Sequence, residues 1–255
     1  MPLQIDLSGH IALVTGAAGD LGRVIARTLA RCGASVAVHY HTNATMAEQV
    51  LADVRAAGVA GMTVQGDVTD AASVTAMHDA VAAGLGDVDI LVPNAVSQPT
   101  WKTPLEQTVE MYEELFRSCV LQTVLLAKAF VPPMIAKRYG RVVIINTECS
   151  MQCIPSQAAY AVAKRGLDGL ARMLAKDLGP HQITVNQIAP GWMISDRDRA
   201  DHSEERPEYQ KSVPLGHRGE DTEIANAVAF LASDLAKFIS GVYLPVAGGN
   251  VMPTI

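Results

Sequence analysis

Short unbroken apolar runs alternate along the chain with longer stretches in which apolar residues return every three or four positions. The runs at 11–14, 35–40, 62–65, 89–92, 141–146, 183–188 and 242–246 have strand length, and their unbroken apolar character is that of strands buried on both faces. The stretches at 21–32, about 45–57, 71–83, about 105–135, 156–178 and 220–235 carry the helical period. Strands separated by helices are joined by crossovers, so the pattern predicts a doubly wound α/β fold, a parallel sheet with helices on both faces. No Pro/Gly/Ser-rich linker and no internal repeat divides the chain, and a single domain over residues 1–255 is expected. One segment breaks the alternation. Residues 195–219 are polar, carry charges of both signs and include Pro207 and Pro214, so a mobile lid over a site is expected at about 192–219.

Composition narrows the picture. With 49% hydrophobic and 18% charged residues the chain can fill a large core and does not read as disordered. The net charge of −6, without any Lys/Arg-rich run, argues against nucleic acid or an anionic membrane as partner. Cys32, Cys119, Cys149 and Cys153 are scattered, as reduced thiols are, and no histidine accompanies the Cys149/Cys153 pair at metal-ligand spacing, so no metal is expected. Residues 1–6 carry no basic or long apolar region, and no 18-residue apolar segment is read anywhere. These features predict a soluble, cytoplasmic protein. A hydrolase is disfavoured because no Gly-x-Ser-x-Gly elbow is present.

Two local patterns carry chemistry. The first strand runs into Thr15-Gly16-Ala17-Ala18-Gly19-Asp20-Leu21-Gly22 and then a helix. A strand, a glycine-rich turn and a helix N-terminus make a pyrophosphate site, with free backbone N–H groups facing the anion. Asp20 opens the helix, where it reads as an N-cap, although its carboxylate also repels phosphate. The second pattern is Tyr160-Ala161-Val162-Ala163-Lys164, which puts a phenol and an ammonium one helical turn apart on one face. The ammonium is expected to stabilise the phenolate and lower the Tyr160 pKa, making the pair a proton donor to a carbonyl or an acceptor from an alcohol.

With these residues in place, the chain resembles the short-chain dehydrogenase/reductase family, whose members share a Rossmann-type fold. The glycine motif matches at Thr15, Gly16 and Gly22, with Asp20 where the family has its middle glycine. Asp67-Val68 after the third strand, Asn94-Ala95 after the fourth, Pro190-Gly191 after the sixth and Gly248-Gly249 after the last fall in the family's order, over roughly residues 7 to 250. Pro93 and Val96 depart from the family's Asn-Asn-Ala-Gly. The resemblance implies cofactor contacts from Gly16, Gly19, Asp20, Leu21, Gly22, Tyr40, His41, Asp67, Val68, Asn94, Ala95, Tyr160, Lys164, Pro190 and Gly191. It implies a catalytic group of Tyr160, Lys164, Thr147 and Cys119. Thr147 stands thirteen positions before Tyr160, where the family has serine, and Cys119 aligns with the family's asparagine. A thiol is a weak hydrogen-bonding group, and Cys119 also reads as a small buried core residue; Ser118 next to it is a possible polar substitute if its side chain points inward.

The implied reaction is hydride transfer between a nicotinamide and a carbonyl or alcohol, with Tyr160 as acid/base; the overall likeness is to 3-oxoacyl-carrier-protein reductases. No carboxylate follows the second strand, where Tyr40, His41, Thr42 and Asn43 stand, so NADP(H) is favoured over NAD(H). Residues 96–101, 148–155 and 192–214 are expected to line the substrate pocket, with Trp101, Met151, Trp192 and Met193 as an apolar wall and Glu148 either solvated or facing a cationic substrate. The stretch 120–134 is apolar on more than one helix face, and with the family resemblance this predicts a homotetramer. The departures at Asp20, Pro93, Val96, Cys119 and Thr147 also leave open a non-catalytic family member acting as a binding or partner subunit.

Overall fold

The computed structural model describes residues 4–253; residues 1–3, the start of the stretch read for targeting signals, lie outside it. Seven strands, β1 (Ile11–Val14), β2 (Ser35–Tyr40), β3 (Gly61–Gln65), β4 (Ile90–Val92), β5 (Gly140–Ile145), β6 (Ile183–Pro190) and β7 (Tyr243–Val246), form one all-parallel sheet in the order 3-2-1-4-5-6-7. The expected doubly wound α/β fold is thus observed. The order reverses between β1 and β4, and the crevice beyond the carboxyl ends of the strands at that point is where such sheets bind ligands.

Helices α1 (Asp20–Arg31), α2 (Ala44–Ala56) and α10 (Asp221–Ala232) cover one face, packing Ile25, Leu29, Val50, Ile224 and Val228 on Val14, Val36 and Val143. Helices α3 (Ala71–Gly84), α4 (Val109–Phe116), α5 (Gln122–Lys137) and α7 (Ala158–Leu178) cover the other, packing Met77, Leu115, Phe130 and Leu167 on Leu13, Leu91 and Ile144. Burial on both faces is why the strands read as unbroken apolar runs. Short helices α6 (Cys149–Gln152), α8 (Asp196–Ala200) and α9 (Pro207–Gln210) stand near the carboxyl edge of the sheet.

Two expectations are corrected here. Residues 105–135 do not form one helix: α4 begins at Val109, capped by the Thr108 hydroxyl on the Met111 N–H, and a π-helical segment at Arg117–Leu121 separates it from α5. This run also contains the apolar stretch that the sequence reading did not find. Over Val109–Lys137 the most apolar 18-residue window has a mean hydropathy of 1.7, enough by length and composition to cross a membrane. In the fold its inner face is part of the core, where Leu115, Leu126, Phe130 and Met134 are fully buried. Asp20 is also not the cap of α1. Gly19 occupies that position without a side-chain cap, and Asp20 is the first helical residue, its carboxylate held by Arg23 at 2.7 Å.

Candidate active site

A cavity of about 1000 Å³ lies at the switch point between β1 and β4. Of the residues assigned to the site from sequence, all but Cys119 line it. Cys119 is 1% exposed and belongs to the core on the α4/α7 side, close enough to Tyr160 and Lys164 to interact with their charge. Burial pushes its thiol pKa up, which keeps it neutral.

The dinucleotide end is built almost wholly from backbone. Gly16 takes the left-handed conformation (φ 64°), and a Cβ on Gly22 would fall 2.1 Å from the Gly16 carbonyl oxygen, so this turn closes on the helix only with glycine at 22. Asn94 ties the turn to the β4 loop: its Nδ2 donates to Thr15 O at 2.8 Å, and its own N–H donates to Thr15 Oγ1 at 2.9 Å. The sequence reading missed His39. Its Nδ1 accepts from the Gly16 N–H at 2.9 Å, so its Nε2 carries the proton and donates to Gly66 O at 3.1 Å. His39 is 1% exposed, and burial lowers its pKa to about 4, so the ring is neutral. Asp67 is held by the Thr69 N–H and hydroxyl at 2.8 and 2.7 Å, which lower its pKa. At the end of β2, Asn43 uses its Oδ1 to cap α2.

Tyr160 and Lys164 share the inner face of α7. Lys164 is buried and donates from Nζ to Ile145 O at 2.8 Å, with Nζ 5.7 Å from the Tyr160 ring centre. Here the expected direction of the Tyr160 pKa is corrected. Burial raises it well above the usual phenol range, with a smaller opposing effect from a hydrogen bond to Thr147, and Lys164 is not among the causes. Lys164 itself is lowered by burial. Desolvation penalises the charged form of each group. The backbone around Thr147 is anchored from three sides: Asn146 Nδ2 donates to Gln187 Oε1 at 2.7 Å and to Lys164 O at 3.1 Å, the Thr147 N–H donates to Asn146 Oδ1 at 2.9 Å, and the Tyr243 hydroxyl of β7 donates to Thr147 O.

The substrate end departs from expectation: of residues 96–101, 148–155 and 192–214, only Val96, Ser97, Gln98, Trp192 and Met193 line the cavity. Trp101 stands edge-on to Tyr160 with ring centres 5.9 Å apart, and Trp192 and Met193 line the cavity as foreseen. Met151 lines a second, smaller cavity beside Arg165 instead. Glu148 is neither solvated nor open to a ligand. It is 3% exposed, accepting from Tyr209 Oη at 2.8 Å and Asn250 Nδ2 at 3.0 Å, and burial raises its pKa. Residues not foreseen also line the cavity: Glu110, Glu113 and Glu114 of α4 and Arg117 at the start of the π-helical segment form a charged rim. Their i, i+3, i+4 spacing was visible in the sequence, but the direction in which they point was not.

The segment after β6 is laced by charge. Arg218, buried, donates to Trp192 O at 3.0 Å, Met193 O at 2.6 Å, Glu204 O at 2.9 Å and Asp198 Oδ2 at 2.9 Å. That partner holds the Asp198 carboxyl well below the usual carboxylate range, although burial opposes it. Arg199 reaches Asp196, Glu220 and Asp221, and Asp196 meets Arg23 of α1 at 2.5 Å.

These features define a dinucleotide-linked oxidoreductase class, and comparison with known proteins gives the family. Residues 16–250 match the family model described as "Enoyl-(Acyl carrier protein) reductase". The chain is 38% identical to the 3-oxoacyl-[acyl-carrier-protein] reductase FabG of Escherichia coli, over 97% of this chain and all of that one. It superposes on a 7α-hydroxysteroid dehydrogenase complexed with NADH and 7-oxo glycochenodeoxycholic acid with a TM-score of 0.88 and 31% identity, covering 98% and 97% of the two chains. It also superposes on a putative gluconate dehydrogenase from Agrobacterium tumefaciens with a TM-score of 0.90 and 27% identity, covering 98% and 100%. The chain belongs to the short-chain dehydrogenase/reductase family, a family of oxidoreductases acting on carbonyl and alcohol groups with a nicotinamide cofactor. The residues present fit such a cofactor: the cradle at Gly16 and Gly22 has no room for side chains, and the cavity continues from it to Tyr160.

Proposed function

We propose that the protein is an NADPH-dependent reductase of ketones, with 3-oxoacyl thioesters as the first substrate class to test. The observation that carries this reading is the continuity of one cavity from the glycine cradle to Tyr160, Lys164 and Thr147. The dinucleotide supplies the hydride. Gly19, Asp20 and Leu21 at the start of α1 would hold its pyrophosphate, and Pro190 and Gly191 would hold its nicotinamide end. Thr147 hydrogen-bonds the substrate carbonyl, Tyr160 gives its phenolic proton to the oxygen as the alcohol forms, and Lys164 would hold the cofactor ribose with an N–H left over from its bond to Ile145 O. The relatives' names favour a 3-oxoacyl substrate, and Trp101, Trp192 and Met193 provide apolar surface for an acyl chain.

The preference for NADPH rests on the β2 end. No carboxylate from that strand reaches the cavity, Tyr40, His41, Thr42 and Asn43 line it, and the N-terminus of α2 presents its dipole there. Residues 192–219 act as the substrate lid. The outer faces of α4 and α7 leave Phe116, Val162 and Met173 about half exposed, and we assign these faces to a homotetramer, which light scattering tests.

The deciding experiment is a fluorescence titration with NADPH and NADH, followed by turnover of an acetoacetyl thioester. NADPH is expected to bind more tightly and the thioester to be reduced. Tyr160→Phe is expected to lose about 10²-fold or more of turnover with dinucleotide affinity retained. Unchanged turnover in that variant removes Tyr160 from the mechanism, and binding of neither dinucleotide favours a non-catalytic family member.

A further inference from the structure

The second, smaller cavity lies outside the site described above and is built from four separate stretches of chain. Its volume is about 560 Å³, within the range of small-molecule sites. Met151 and Gln152 come from α6, Arg165 from α7, Ser212 from the segment after β6, and Asn250 and Met252 from the stretch after β7. One formal charge lines it, the guanidinium of Arg165, in a chain whose net charge is −6. Among the described residues Arg165 meets no carboxylate. Its Nη1 donates to the Met151 thioether at 2.8 Å, and a thioether is a weak acceptor. The Gln152 side-chain amide has no hydrogen-bond partner among the described residues. Asn250 spends one Nδ2 N–H on Glu148 Oε2 at 3.0 Å and keeps the other. No carboxylate lines the cavity, so its polar wall is rich in donors. The rest of the wall is apolar: Ile154 and Met252 are 44% and 73% exposed there, beside Val251. Exposed apolar surface next to one cation without a charged partner fits a ligand with one negative charge and an apolar body.

We propose that this cavity is a second ligand site, for an amphiphilic carboxylate. The planar carboxylate accepts two parallel N–H bonds from the Arg165 guanidinium, and the Gln152 and Asn250 amides supply further donors. One guanidinium matches one negative charge, which favours a carboxylate over a phosphate dianion. The apolar chain covers Met151, Ile154, Val251 and Met252 and takes their surface out of water. The site stands whether or not the protein reduces ketones. It also touches the lid-side network: Asn250 donates to Glu148, and Ser212 Oγ donates to Tyr209 O at 2.7 Å, while the Tyr209 hydroxyl holds both Glu148 and the Trp192 N–H.

Isothermal titration of the full-length protein with sodium decanoate tests it, with decanol and the variants Arg165→Gln and Met252→Asp as comparisons. Wild type is expected to bind one decanoate per chain saturably, and decanol at least about tenfold more weakly, because the alcohol cannot make the charge-assisted pair. Arg165→Gln is expected to weaken decanoate at least about tenfold, and Met252→Asp, which sets a carboxylate in the apolar wall, by a similar factor. Both side chains are exposed, so both variants are expected to keep the wild-type Tm. Absence of saturable binding to wild type overturns the proposal. Equal affinity of wild type and Arg165→Gln also overturns it, because the carboxylate then binds elsewhere. In crystals grown with decanoate, the carboxylate is expected on the Arg165 guanidinium. Decanoate found only in the cavity of Tyr160, or a second copy of the chain filling the Arg165 cavity, overturns the proposal.

Discussion

The two ends of the cavity are held by different physics. The dinucleotide end is fixed by neutral, short-range hydrogen bonds between loops at strand ends: Gly16 to His39, Asn94 to Thr15, His39 to Gly66. The other end, the segment after β6 that we propose as the lid, is fixed by charge, with Arg218, Asp198, Arg199, Asp221 and Glu148 as its main groups. Neutral bonds inside a packed sheet edge hold geometry and respond little to salt. Charge pairs respond to loss of a single partner, and the more exposed of them, such as Arg199 with Glu220, also to salt. The comparison predicts that the two ends separate experimentally: damage to the lid changes substrate KM, and damage to the cradle changes dinucleotide Kd.

The largest effect is expected at Arg218. Arg218→Met keeps volume but leaves two backbone carbonyls beside Trp192, the Glu204 carbonyl and the Asp198 carboxylate without their donor. Breaking a buried pair of this kind costs about 3–5 kcal/mol locally. The expected result is a substrate KM raised at least about tenfold with dinucleotide Kd unchanged. Equal loss of dinucleotide affinity would show that the ends are not independent.

His39 tests the other end. Its pKa is about 4 in the fold against about 6.5 in the unfolded chain. Between those values the unfolded state binds a proton that the folded state does not, so stability falls as pH drops from about 6.5 to about 4 and is fully present above about 6.5. The shift corresponds to about 3 kcal/mol at most. His39→Gln can still accept from Gly16 and donate to Gly66 but does not titrate. Its urea stability, measured relative to wild type from pH 7 to pH 4, is expected to improve steadily toward acid. A constant difference would mean that His39 does not titrate as its burial implies.

Tyr209→Phe removes one hydroxyl that accepts from the Trp192 N–H and donates to Glu148. A hydrogen bond to a charged acceptor contributes about 2 kcal/mol. The variant is expected to raise substrate KM severalfold and to leave Asn250 as the remaining partner of Glu148. An unchanged KM would show that the Glu148 contact does not hold the lid.

These contacts also show which parts of the molecule were legible in the sequence. Burial on both faces forces unbroken apolar strands, and phosphate chemistry forces glycine within a few residues of a strand end, so the sheet and the cradle were visible locally. Tyr160 and Lys164 are one turn apart for the same local reason. What was missed acts across distance. Tyr209 meets Glu148 61 residues away, and Tyr243 meets Thr147 96 residues away. Glu148 looked like a residue open to ligand because its neighbour Thr147 is, and only the fold shows that its side chain turns beneath the lid. The lowered Tyr160 pKa was inferred from one neighbour, while burial, which dominates, depends on the whole cavity wall.

The smallest effect falls where the two regions meet. Asp20 and Asp196 both hold Arg23, at 2.7 and 2.5 Å, so one guanidinium joins the cradle to the lid. Asp20 is more than half exposed, so this pair contributes little stability. Its carboxylate nevertheless stands at the start of α1, where the dipole and free N–H groups favour an anionic ligand and where a second negative charge repels it. Asp20→Gly removes that repulsion and leaves Arg23 with Asp196 and, in the bound state, closer to phosphate. Dinucleotide Kd is expected to tighten about threefold at low ionic strength, the gain fading at high salt because it is screened. Weaker binding would reverse the assignment: Asp20 would then serve the cradle by fixing Arg23, and the carboxylate would be a structural part of the site. An equal gain at all salt concentrations would point to backbone freedom from the new glycine and not to charge.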